Sequence, residues 1–167
     1  NTLILSTDNT NSDTVSVQLS QPTLSQISSQ GNSNISIEGS LGLNTMINAG
    51  AGTISATRLN SSALTIDNVG TGDITVNGDK LNLRTIKLLG SGNISVTGIN
   101  SQAVSLRILG SGSVDISGQT DKLQAKLYGS GNLKSEQLIT NDASVEIFGS
   151  GSARVNVSGS LETGTKG

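Results

Sequence analysis

The chain has 167 residues, a formal charge of -2, and neither cysteine nor histidine. That excludes disulfides, thiolate and imidazole metal sites and any Ser-His-Asp or Cys-His catalytic pair, and near-neutral charge gives no electrostatic reason to expect nucleic acid as a partner. Hydrophobic residues make up 33%, with one Phe, one Tyr and no Trp, while 21 glycines bring the apolar share near the usual one, so a thin core of Ile, Leu, Val and Ala is expected.

The first segment carries an apolar run, Leu3-Ile4-Leu5, then a polar stretch, then alternating Val15, Val17 and Leu19, which reads as a strand. Pro22, the only proline, breaks whatever begins there. Residues 1 to about 30 fit the later pattern poorly and are expected to form an atypical first coil or cap over an open hydrophobic end. No run approaches the roughly 18 apolar residues of a membrane-spanning helix, so no transmembrane segment is expected. Asn1 opens no signal-peptide pattern, so an exported protein would already have lost its leader.

From Gly31 a repeat sets in. Its mark is a glycine pair: Gly50-Ala51-Gly52, Gly70-Thr71-Gly72, Gly90-Ser91-Gly92, Gly110-Ser111-Gly112, Gly129-Ser130-Gly131 and Gly149-Ser150-Gly151, at steps of 20, 20, 20, 19 and 20 residues. Four positions after the first glycine lie Ile35, Ile54, Ile74, Ile94, Val114, Leu133 and Ala153. Six positions after it lie Ile37, Ala56, Val76, Val96, Ile116, Ser135 and Val155. Polar columns separate them, so each unit opens with a short strand buried on one face. Val104, Leu106 and Ile108, Leu123, Ala125 and Leu127, and Ala143, Val145 and Ile147 repeat the alternation as a second strand.

One such unit cannot bury its apolar face alone, so successive units must stack, strand upon strand. The expected fold is a single all-β domain, a right-handed parallel β-helix or β-solenoid of about 20-residue coils, with repeats over 31–160 and a tail at 161–167. About seven or eight coils at about 4.8 Å give an axis of about 35 Å. The glycine pair is read as a corner needing positive φ or close approach of stacked backbones, and Gly39, Gly78, Gly98 and Gly118 as a second corner. The chain ends without a recognisable cap, which invites pairing with further chain, with another molecule, or with its own last residues.

The repeated Gly-Ser-Gly-[Asn/Ser]-[Ile/Val/Leu] unit, closed by a strand such as Val104-Ser105-Leu106-Arg107-Ile108 or Ser144-Val145-Glu146-Ile147, resembles the bacterial auto-transporter adhesin, head GIN domain family over about residues 31–160. The resemblance implies a right-handed parallel β-helix that is exported, in the periplasm, at the cell surface or outside the cell. It carries over no catalytic or binding residues. The chain departs from the family pattern by ending before the expected glycine-rich closing turns.

Two outward groups are candidate sites. Val69, Leu89, Leu109, Tyr128 and Phe148 immediately precede the glycine pairs. Strict alternation puts them outside as an interface for self-association or ligand; a corner that packs both neighbours inward is the blander expectation, and the one preferred. Asp67, Lys87, Arg107, Lys126 and Glu146 follow one another on the second strand, and Lys87, Arg107 and Lys126 form a strip that an anionic polymer could follow, although such columns are more often solvated faces. Asp73, Asp115, Asp121, Glu136 and Glu146 fall in different columns and make no glycosidase-like pair. Calcium repeats need a recurring aspartate, whereas Asn34, Thr53, Asp73, Asn93, Ser113, Asn132 and Ser152 read as turn residues bonding their own backbone. Charged Asp115, Lys134 and Arg154 interrupt the hydroxyl rows that would suggest an ice-binding face.

No catalytic residue, metal ligand or cofactor is expected. The reading is a non-catalytic exported structural or adhesive module that presents repeated side chains to a cell-surface glycan or to another copy. Alternatives are an end-to-end polymerising scaffold and, least favoured, a polysaccharide-processing enzyme.

Overall fold

A computed structural model describes residues 2–6, 14–16, 24–39 and 42–166; Val17, Leu19 and Pro22, read above as a strand end and its breaker, lie outside the described residues. Short strands alternate along the first half of the chain: β1 (Thr2–Ser6), β2 (Thr14–Ser16), β3 (Gln26–Gln30), β4 (Asn34–Glu38), β5 (Thr45–Asn48), β6 (Ile54–Leu59), β7 (Leu64–Asn68), β8 (Ile74–Leu81) and β9 (Leu83–Leu88). Long strands follow, β10 (Ile94–Ile108), β11 (Ser113–Gly129) and β12 (Asn132–Gly149), then β13 (Ser152–Val157) and β14 (Leu161–Lys166). All pairings are parallel. One stack runs β1-β3-β5-β7-β9 and the other β2-β4-β6-β8, and both join β10, on which β11 and β12 lie in turn. The result is a parallel β-solenoid of about 20-residue coils, with no helix among the described residues.

Both expected inward columns form the core. Ile35, Ile54, Ile74, Ile94, Val114 and Leu133 are buried, and so are Ile37, Ala56, Val76, Val96, Ile116 and Ser135. On the opposite wall Ile27, Met46, Ile66, Ile86, Leu106, Ala125 and Val145 stack in register. Each buried aliphatic side chain contributes about 1.5–3 kcal/mol, and the single-residue thickness of the ladders explains why no large ring is needed. Ala153, Val155 and Val157 on β13 are only half-buried, because β13 pairs with β12 alone among the described residues.

Two departures refine the corner reading. The pairs from Gly50 to Gly112 have ordinary φ, and what requires glycine there is close approach, since a Cβ on Gly110 would overlap the carbonyl oxygen of Gly90, and one on Gly112 that of Gly92. Positive φ occurs at both corners, at Gly129 (120°) and Gly149 (131°) opening the last two pairs and at Gly98 (78°) and Gly118 (129°) in the other corner. At that other corner the chain can also run on as one strand. The register shifts between Val96 and Ile99, so β10 and β11 run on through a bulge. Residues 161–166, expected as a tail, form β14, which lies in parallel register on β12 from Ala143↔Leu161 to Phe148↔Lys166.

Candidate functional site

The exterior of the second wall carries both candidate groups, and its geometry follows from alternation that never lapses. Leu106 and Ile108 point inward, Leu109 outward, and Gly112 is again inside, so the corner is turned without a second inward residue. The inward packing preferred from sequence is therefore corrected: Val69, Leu89 and Leu109 are 50%, 46% and 45% exposed. Tyr128 and Phe148 occupy the same outer column in register, half-exposed, with their rings stacked 4.8 Å apart and 5° from parallel. Such a pair contributes about 0.5–1.5 kcal/mol beyond the area it buries. The rings are stacked along the solenoid axis, so the pair presents edges outward rather than one flat face.

Two residues before each member of that column lies the charged one. Asp67, Lys87, Arg107, Lys126 and Glu146 are strict register partners from coil to coil. Lys87 reaches Asp67 at 3.8 Å and Lys126 reaches Glu146 at 3.2 Å. Among the described residues Arg107 has no carboxylate partner; its guanidinium lies 5.7 Å from the centroid of the Tyr128 ring, a cation–π distance. The strip of three cations is thus bracketed by its own acids, and only Arg107 offers a charge not already met by a carboxylate. Exposed pairs of this kind are worth little each, typically under about 1 kcal/mol.

Two of the remaining carboxylates hold neighbouring coils together. Asp73 accepts from the backbone N–H of Asn93 at 2.7 Å and Glu136 pairs with Arg154 at 3.5 Å. Among the described residues no three Asp or Glu side chains gather as a cation site. The Asn34-to-Ser152 column does not bond its own turn as expected. Asn34 Oδ1 accepts from Thr53 N at 2.8 Å, Asn93 Oδ1 from Ser113 N at 3.1 Å and Asn132 Oδ1 from Ser152 N at 3.2 Å. A short side chain at the start of one rung reaches the first amide of the next because stacked rungs are only about 4.8 Å apart. Asp142 does the same for the last coil, accepting from Ser160 N at 3.0 Å and Ser160 Oγ at 2.7 Å. Those bonds, with Lys122 nearby, hold its carboxyl below the usual range.

Sequence reasoning passed over two inward rows and one groove. Leu59, Leu81, Ile99 and Leu138 form a further buried row, and Ser61, Ser101, Thr120 and Thr140 a buried hydroxyl row beside it. Outside that hydroxyl row lies a groove of about 540 Å³ whose lining includes Asn82, Asn100, Gln102, Gln119 and Asn141. Its signal in the sequence is the cluster of uncharged amides between the bulge glycine and the second wall.

No curated protein and no solved structure matches the chain. One family matches, described as "Putative auto-transporter adhesin, head GIN domain", over residues 78–167, the stretch that holds the long strands β10–β12, the aromatic pair and the amide groove. That match spans more than half of the sequence, and the chain belongs to this family.

Proposed function

We propose that the protein is a non-catalytic, exported module of the bacterial cell envelope, whose stiff solenoid displays side-chain columns to a repetitive surface polymer or to a second copy. The observation that carries this reading is the outer apolar column from Val69 to Phe148, which the fold leaves exposed or half-exposed although Leu88, Ile108 and Leu127 beside it are buried. An apolar stripe crossing five coils is a feature that monomeric surfaces seldom keep without use. The family's description as an adhesin head supports export and surface contact. Weak contacts repeated at each coil add through multivalency, which suits a repetitive target better than a single deep pocket would. Residues 1–30 are read as the coil that covers the N-terminal end of the stack, supported by the pairing of β1 with β3.

Light scattering on a dilution series, with and without a cell-surface polysaccharide, tests the reading on wild type and on Tyr128→Ser/Phe148→Ser. The double variant is expected to stay folded and to lose whichever association the wild type shows. A wild type that associates with nothing, or a variant that associates unchanged, contradicts it.

A second reading, end-to-end polymerisation, rests on one observation: β13 and β14 pair only with β12 among the described residues, and the side chains of β14 are exposed. Open strand edges template further pairing. Filaments that grow with concentration and ignore the double substitution would favour it.

A further inference from the structure

We infer that the amide-lined groove on the bulge side of the solenoid is a binding site for a neutral oligosaccharide lying along the solenoid axis. This deepens the adhesive reading and rests on it. Two outward columns flank the buried Ser101-Thr120-Thr140 row. One is Asn100, Gln119 and Ile139, in direct register. The other is Gln102, Asp121 and Asn141, placed side by side because the residues bracketing them are register partners. The groove between them, about 540 Å³, also takes in Asn82 and Ser158 and is lined by no cation.

Its chemistry is that of a hydroxyl-rich, uncharged ligand. Each amide offers two N–H donors and a carbonyl acceptor, which matches a sugar hydroxyl that both donates and accepts. Among the described residues one amide pair of the groove is satisfied internally, Gln119 Nε2 donating to Asn100 Oδ1 at 3.2 Å. The side chains of Asn82, Gln102 and Asn141 make no hydrogen bond among the described residues, and they stand ready for a ligand. Asp121 repels sulfate or phosphate groups while accepting from paired hydroxyls. Ile139, 61% exposed, supplies an aliphatic surface for the C–H face of a pyranose ring. The amides recur at the coil spacing of about 4.8 Å, close to the length of one sugar unit in an extended chain, so one residue of the glycan meets each rung. The outer face of the second wall differs on every count, with Arg107, Lys126 and the aromatic pair.

The test is a titration of the ¹⁵N-labelled protein with cello-, manno- and chito-hexaose at millimolar concentration, with dextran sulfate as the anionic probe, following the side-chain NH₂ signals of Asn100, Gln102 and Gln119. At least one neutral hexaose is expected to shift those signals. Asn100→Ala/Gln119→Ala, which removes only exposed side chains, should melt as wild type does and bind about tenfold more weakly, as the loss of one or two hydrogen bonds implies. No shift with any neutral hexaose, or equal binding by the variant, overturns the proposal. Shifts with dextran sulfate confined to the Arg107 face would overturn the groove while leaving the adhesive reading intact. Shifts that depend on protein concentration alone would assign the groove to a second copy and overturn the glycan.

Discussion

The coils before Gly90 and those after it solve the same corner in different ways. In the early coils the last inward position of the second wall is an amide: Asn48 Nδ2 donates to Gly52 O at 2.8 Å and Asn68 Nδ2 to Gly72 O at 2.7 Å, tying the corner to the strand that enters it. In register above Asn68 the same column becomes Leu88, Ile108 and Leu127, all buried. The early corner is held by hydrogen bonds and the late one by packing. The join shows in the chemistry, since Asn68 Oδ1 is buried without a partner beneath Leu88. At the bulge corner Gly39, Gly98 and Gly118 take positive φ with no side chain to strain, and one early coil places Arg58 there instead, with φ 56°. One backbone repeat therefore tolerates two side-chain solutions, provided the glycine pair is kept.

That proviso gives the largest expected effect. Gly70→Val in the early half and Gly110→Val in the late half should each cost about 3 kcal/mol or more, because the added Cβ meets backbone rather than movable side chains. Chemical denaturation of both variants checks it, and a corner that accepts valine in one half only would break the comparison. Next, Asn68→Leu converts an early corner to the late type and removes the donor to Gly72 O; a loss of about 2 kcal/mol is expected, less whatever the leucine gains by burial. A gain in stability would mean that packing alone suffices throughout.

Tyr128→Ser/Phe148→Ser removes the stacked pair found only in the late coils. A loss of about 1–2 kcal/mol with a cooperative melt is expected; collapse of the fold would place the column in the core. At the bulge, Arg58→Gly should be more stable than Arg58→Ala by about 1 kcal/mol. Both variants lose the exposed ion pair with Glu38, so the difference isolates backbone strain. The opposite order would show that Arg58 is unstrained.

The smallest effect is one of pH. The carboxyl of Asp142 is held below its unfolded value by Ser160 and Lys122, so its contribution is complete above about pH 4 and is lost as pH falls through the lower folded value. The hydrogen-exchange protection factors of Leu161–Lys166, taken relative to the slower intrinsic exchange in acid, should fall while the core strands keep theirs. Uniform protection across β14 at low pH would remove Asp142 as the clasp of the last coil.

Much of this architecture was legible in the chain. Ile54, Ile74 and Ile94 recur at a fixed offset from the glycine pair, and a period of two around them has only one satisfactory packing. The row of Leu59, Leu81, Ile99 and Leu138 was not legible, because its offset from the glycine pair shifts between coils where the bulge absorbs a residue. Asn48 and Asn68 read as surface residues by polarity alone, since their inward amides are satisfied only by carbonyls that the corner brings to them. Asn34 and Asn93 have the chemistry of local turn formers; from sequence alone an amide one coil away, about 20 residues distant, cannot be told from one two residues away. The outer apolar column was visible as a pattern, but its direction depended on whether alternation survived the corner, which the close approach of glycine backbones decides.

The claim at the centre is that the column from Val69 to Phe148 serves contact with a partner and not the fold. The most direct measurement pairs a thermal melt with polysaccharide binding for the same two proteins, wild type and Tyr128→Ser/Phe148→Ser. The account predicts a cooperative melt within a few degrees of wild type together with loss of association. A variant that unfolds, or one that melts and associates as the wild type does, would contradict it.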